Sequence, residues 1–150
     1  MSAFGVEIPP SLICLFEPGV SKQSALEQLI VLTLRAGIVT NETAFREAVF
    51  ERESIMSTGI GAGVAIPHVR IPEVAKPTLA VGVSRDGIDF GTLDDAPVHI
   101  VVLFAMPFGA HREYLVLLAQ VISTLKLPGF RDLLLSCNSP ETIAATINSM

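Results

Sequence analysis

His68 closes the run Ser57-Thr58-Gly59-Ile60-Gly61-Ala62-Gly63-Val64-Ala65-Ile66-Pro67-His68, so an imidazole is delivered at the end of a flexible and then a stiff segment. Three alternate glycines let backbone N–H groups come close to an oxyanion, Val64 to Ile66 reads as a short buried strand, and Pro67 fixes φ just before the histidine. With a pKa of roughly 6.5, a neutral imidazole attacks an electrophile without a strong base to activate it. Phosphorus is the electrophile that suits these neighbours. Phosphoryl transfer needs mainly positioning and positive charge around the moving group. Arg52 supplies a fixed cation, and Gly59, Gly61 and Gly63 supply N–H donors. The Thr58 hydroxyl either joins them on a phosphate or stabilises the turn. Nucleotide binding is a poorer reading: no Gly-Lys-Ser/Thr follows the loop, and a dinucleotide fingerprint fails at Val64 with no strand before it.

The remaining reactive side chains point elsewhere. His99 lies inside the apolar run Val98 to Ala105 and reads as a hydrogen-bonded sheet residue outside the site. Asp94-Asp95 reads as a solvated loop, since neighbouring carboxylates diverge and no histidine stands at ligand spacing. Cys14 and Cys137 form no CxxC pair and read as reduced thiols, so we expect no metal and no cofactor. The net charge of -5 includes no basic run, which argues against nucleic acid as a partner. The longest apolar runs, such as Ile100 to Met106, fall far short of the roughly 20 residues of a membrane helix, and the N-terminus does not resemble a secretory signal. The expectation is a cytoplasmic protein that meets a membrane only through a partner.

These residues have to be positioned by one ordinary domain spanning 1–150. The opening, to Pro18-Gly19, reads as irregular chain around Leu12 to Phe16. A helix is predicted over Lys22 to Ala36, capped by Ser21 and stopped at Gly37. Thr40 is predicted to cap a second, with Ala44, Phe45, Ala48 and Val49 on its packed stripe, fading near Arg52 and Glu53. Strands follow at Thr78 to Ser84, before an Asp86-Gly87 turn, and at Val98 to Ala105. The spacing of Leu115, Leu118, Ala119, Ile122 and Leu125 predicts a helix over Ala110 to Lys126, ended by Pro128-Gly129. Phe130 to Ser136 and a segment capped at Ser139-Pro140-Glu141 complete the helices. Near-continuous apolar strands need cover on both sides. The fold class is therefore α/β, with a single mixed β-sheet of about five strands covered by helices on both faces.

Taken together, Arg52-Glu53, Ser57-Thr58-Gly59-Ile60-Gly61, Gly63 and Ala65-Ile66-Pro67-His68 resemble the signature of type-2 enzyme IIA domains. These belong to the bacterial phosphoenolpyruvate:sugar phosphotransferase system (PTS), in its fructose/mannitol and nitrogen-regulatory branch. Lys76-Pro77, Gly87-Ile88-Asp89-Phe90, Asp94, Pro97-Val98-His99 and a helix opening with His111 extend the resemblance over roughly Leu12 to Ile147. It implies a phosphotransferase in which His68 accepts a phosphoryl group from phospho-HPr, or a nitrogen-branch homologue, and passes it to a IIB cysteine in sugar uptake. It also implies that Arg52 neutralises the phosphoryl group and that His111 donates to it or orients His68. One departure is Val69, where the family usually has a small residue, most often glycine. A β-branched residue resists φ > 0, so a different local backbone is expected there. Two other readings stay open. In one, phosphorylation of His68 controls binding to a regulated target protein, and the Pro67-His68-x-Arg70 arrangement is similar to the nitrogen-regulatory branch. In the other, the pocket binds an anion or a protein without phosphorylation. Phe108-Gly109-Ala110 is expected to form a lip over the pocket.

Overall fold

Burial on both faces picks out the two strands on which everything else is built. The computed structural model describes residues 2–149. In chain order, a 3-10 turn at Pro10–Leu12 leads to β1 (Ile13–Leu15), α1 (Lys22–Arg35) and α2 (Glu42–Ile55). Then come β2 (Gly59–Gly61), β3 (Val64–Ala65), β4 (His68–Arg70), β5 (Thr78–Ile88) and β6 (Val98–Met106). Helices α3 (His111–Leu125), α4 (Pro128–Ser136) and α5 (Pro140–Asn148) close the chain. One mixed sheet runs β1-β5-β6-β3-β2, with β4 also paired to β6. It has six strands where about five were expected. Thr78 to Ser84 and Ile100 to Met106 are buried without interruption, so helices cover the sheet on both faces; α1 and α4 both pack on β5, and α2 packs on β4.

The extra strands are too short for pattern alone to declare. Ile13–Leu15 pairs in parallel with Val81 to Val83, making a strand of what read as irregular chain. Beyond the glycines, β3 and β4 lie end to end along the same edge of β6. Val64 is opposite Ile100 and His68 opposite Phe104, so the register is continuous across the break. Pro67 has no N–H to give the ladder, but its carbonyl accepts from Phe104 N at 2.9 Å. The expected turn at Asp86-Gly87 is a bulge within β5 instead. Between Val83 opposite Ile100 and Ile88 opposite Val98 the strands lose register, and Gly87 takes φ 88° with its N–H donated to Ser84 Oγ at 3.0 Å.

The helix ends follow side-chain chemistry. Ser21 caps α1 by accepting from Ser24 N at 3.1 Å, and Gly37 leaves it at φ 75°. Asn41, not Thr40, caps α2, accepting from Ala44 N at 3.0 Å. Thr40 is held away by a long-range bond from its own N–H to Glu73 O at 2.9 Å, so tertiary structure chose between two adequate caps. Pro128 opens α4 rather than merely ending α3, and α5 carries a Ser139/Thr142 capping box. The packed stripe of α3 also differs from expectation. Leu115 and Ala119 face solvent, while Val121, Thr124 and Leu125 are buried. Apolar side chains surround most of this helix, so periodicity could not single out its inner face.

The core leaves no slack beside β5. A Cβ added to Gly82 would stand 2.2 Å from Cζ of the buried Phe16 ring. Gly82→Ala therefore forces overpacking and should cost about 1–3 kcal/mol. The urea midpoint should fall at unchanged m-value, and an unaltered midpoint would show that the ring yields freely.

Candidate active site

His68 opens β4 and is half-buried. Its Nδ1 lies 3.1 Å from the Ile66 carbonyl oxygen, which can only accept, so Nδ1 carries the proton and Nε2 keeps the lone pair. The ring leans on Tyr114 of α3, with centroids 5.6 Å apart at 34°. Tyr114 stands edge-on to Phe104 at 5.9 Å and 88°. Since Phe104 is fully buried and is also the residue opposite His68 in the sheet, the imidazole is braced against the core from two directions.

A shallow cleft of about 350 Å³ joins His68, Val69, Arg70 and Ile71 to Arg52 and Ile55 in the last turn of α2. Arg52 Nη1 donates to Met56 O at 3.0 Å, which anchors one nitrogen at the helix C-terminus, where a cation is favoured. Arg70 Nη1 bonds Nδ1 of His111, the first residue of α3. A guanidinium only donates, so this His111 nitrogen is the acceptor and its proton sits on Nε2. The structure thus brings His68, Arg52, Arg70 and, through Arg70, His111 to one place. Arg70 was noticed in the sequence only as a branch marker. Strand alternation could have found it, because residues two apart share a face and Arg70 is two beyond His68.

Burial, first of all, holds the His68 pKa below its ordinary 6.5, and the Arg52 and Arg70 guanidiniums push the same way; the Ile66 hydrogen bond and the Glu53 carboxylate oppose them. The ring is therefore neutral at pH 7, the form in which an imidazole nitrogen can attack an electrophile. Burial pushes the Tyr114 phenol up, with the same two cations opposing, so it stays protonated beside the ring.

Two expected contributors are placed differently. Thr58 is buried and its hydroxyl donates to Glu53 Oε1 at 2.6 Å, so it is not free for a phosphate. Gly59, Gly61 and Gly63 do not line the cleft with His68. They form a hairpin with β3 that packs toward Thr92, Asp94 and His99, where glycine is needed for close approach: a Cβ on Gly59 would meet Thr92 Cγ2 at 2.4 Å. The cradle of amides gives way to a scaffold that carries the strand leading to His68. Val69 lies in β4, 5% exposed and opposite Ala105, with no positive φ. Extended backbone suits a β-branched side chain, so the substitution strains nothing there.

Outside the cleft, His99 Nδ1 donates to Ser84 O at 2.9 Å, as a sheet residue should. Asp94 accepts from Thr92 Oγ1 at 2.6 Å and from Ala96 N at 3.2 Å, and these bonds hold its carboxyl below the usual range. Among the described residues no three histidine, cysteine or acidic side chains gather as metal ligands, and both cysteines are free. Phe108 is 69% exposed in the turn before His111, and among the described residues no helix is long and apolar enough to cross a membrane.

Residues 8–150 match the family model described as phosphoenolpyruvate-dependent sugar phosphotransferase system, EIIA 2. The chain belongs to this family. A fructose-specific EIIA component of Haloferax volcanii is 36% identical over 135 residues, covering 90% of this chain and 88% of that one. The fructose-specific EIIABC component of Bacillus subtilis is 35% identical over 127 residues, 85% of this chain, which spans only 20% of that longer protein. Among solved structures, nitrogen regulatory protein IIA-Ntr of Neisseria meningitidis superposes with TM-score 0.83 at 30% identity, covering 93% and 95% of the two chains. The Escherichia coli complex of enzyme IIAMTL with phosphorylated enzyme IIBMTL shares the fold of this EIIA domain, with TM-score 0.77, 18% identity and 94% and 96% coverage.

The charge pattern around His68 gives a titration with a defined sign. By NMR, the His68 ring should protonate with a midpoint below 6.5. Arg52→Gln removes one cation and should move that midpoint upward. A midpoint unmoved by the substitution would place Arg52 outside electrostatic reach of the ring.

Proposed function

We propose that this EIIA domain is a phosphoryl carrier, in which His68 Nε2 takes a phosphoryl group from phospho-HPr or a nitrogen-branch homologue and passes it to a IIB cysteine in sugar uptake. The observation that carries the reading is the Nδ1–H bond to the Ile66 carbonyl, because it leaves Nε2 as the nucleophile. In the first step the Nε2 lone pair bonds to phosphorus while the donor's phosphorus–nitrogen bond breaks, and that electron pair returns to the donor imidazole. The ring then holds the phosphoryl group on Nε2 and its original proton on Nδ1, a cation whose N–H is already satisfied. In the second step a cysteine thiolate bonds to phosphorus and the electrons of the N–P bond return to Nε2. The ring leaves as neutral imidazole, and no proton moves at His68 in either direction. Arg52 and Arg70 stand where they can balance the phosphoryl charge, and the His111 Nε2–H is a further donor.

A nitrogen-regulatory role is the second reading, favoured by the likeness to IIA-Ntr and by Arg70 beside His68. There the same chemistry changes the charge of a docking surface and so the binding of a target protein. In either role the exposed Phe108 is available for partner contact.

Incubation with phosphoenolpyruvate, enzyme I and HPr, or their nitrogen-branch counterparts, should give an acid-labile, base-stable adduct that His68→Ala abolishes. Transfer of that adduct to a IIB cysteine marks a relay; retention marks a regulator; no adduct with either donor set points to a module that binds without phosphorylation. Arg52→Lys keeps the charge but loses the planar fork, and should slow uptake about tenfold, the equivalent of one charge-assisted hydrogen bond. An unchanged rate would remove Arg52 from the mechanism.

A further inference from the structure

Among the described residues Glu53 is the only buried aspartate, glutamate, lysine, arginine or histidine, 6% exposed, and the chemistry above makes no use of it. A carboxylate is expensive to bury unless its oxygens are fully occupied. Here Oε1 accepts from Thr58 Oγ1 at 2.6 Å, while Oε2 accepts from Thr58 N at 3.1 Å and pairs with Lys22 Nζ at 2.7 Å. Lys22, at the start of α1, also donates to Phe90 O at 3.0 Å and lies 4.8 Å from the Phe90 ring centroid. One carboxylate therefore clamps together the end of α2, the start of the glycine hairpin, the first turn of α1 and the segment after β5.

From this clamp an unbroken hydrogen-bonded path leads to His68. The Thr58 carbonyl accepts from Ile66 N at 3.0 Å, and the Ile66 carbonyl accepts from His68 Nδ1 at 3.1 Å. Each member of the path is fixed by the one before it. On the other side, Glu53 directly follows Arg52. Successive helical residues diverge by about 100°, so Glu53 can point into the core while Arg52 reaches the cleft.

We infer that Glu53 is a positioning residue: through Thr58 and the Ile66 carbonyl it holds His68 with the proton on Nδ1, and through the last turn of α2 it holds Arg52 beside that ring. The role rests on the carrier reading for its purpose but not for its test. The tautomer of His68 is read directly from ring nitrogen shifts and two-bond couplings in ¹⁵N-labelled protein, without any phosphoryl donor.

Wild-type protein should show the Nδ1–H form. Glu53→Gln, confirmed folded by its amide spectrum, should shift His68 toward a mixture of tautomers and slow phosphoryl uptake tenfold or more. Arg52→Lys should slow uptake with the tautomer unchanged, which separates loss of charge from loss of orientation. If Glu53→Gln does not fold, Thr58→Val, which removes the 2.6 Å bond and keeps the side-chain shape, is read in the same way. A shifted tautomer supports the positioning role whether or not phosphate is taken up, so failure of the carrier reading is told apart. A folded variant whose His68 tautomer matches the wild type overturns it.

Discussion

At Ile66-Pro67 the chain alongside β6 breaks its regular pairing, keeping only the Pro67 carbonyl on Phe104 N, and then resumes in the same register. That interruption is the constraint on which the site depends. A proline there removes a ladder donor, and with Ile66 out of pairing its polar groups must find other partners. The N–H goes to Thr58 and the carbonyl to the His68 ring. A backbone that stayed paired would have had no carbonyl to offer, and the imidazole would have been free to choose either tautomer. Because β6 is fully buried over this stretch, the position at which the ladder resumes is fixed as firmly as the core itself.

The cleft reverses the charge of the protein around it. The chain carries -5 overall, yet two guanidiniums against the single carboxylate of Glu51 line the cleft with His68, one anchored to the end of α2 and the other to His111. Local positive charge in a shallow, partly desolvated cleft favours an anionic group and adds to the burial that lowers the His68 pKa. The same cations serve both effects, while burial does most to hold the ring neutral. The Ile66 bond then restrains how far the ring's basicity falls, so nucleophilicity is not lost with it.

Much of this arrangement was legible in the chain, and the unreadable parts share a physical cause. The caps at Ser21 and Ser139 could be recognised because local chemistry decides them, and the sequence pattern singled out His68 and Arg52, which the structure sets around one cleft. Asn41 displaced Thr40 because a bond to Glu73 from elsewhere in the structure outweighed an even local choice, and Asp86-Gly87 became a bulge because β5 stays paired with β6 on either side of it. β1 and β4, three residues each, carry too little pattern to be seen, whereas the apolar run at Val64 to Ile66 did mark β3. The glycines misled for a related reason. Gly59 and Gly63 make room for Thr92 and His99, and Gly61 takes φ 89°, demands that look in sequence the same as an anion cradle. Glu53 was visible only as part of a family signature, since nothing local reveals that a helix-end carboxylate will be buried.

What remains exposed is consistent with a site finished by a partner. Ile55 is 75% exposed at the edge of the cleft, Met56 follows it at 56%, and Phe108 stands 69% exposed before His111. None of these side chains has a core to join. Docking another protein over them would remove water from the cleft, and the attraction between the guanidiniums and a transferring phosphoryl group would strengthen as the effective dielectric falls. An open cleft in the free domain, by contrast, leaves the His68 ring accessible from solvent. In the proposed relay that openness is needed twice, because donor and acceptor must each approach the same nitrogen and neither can remain.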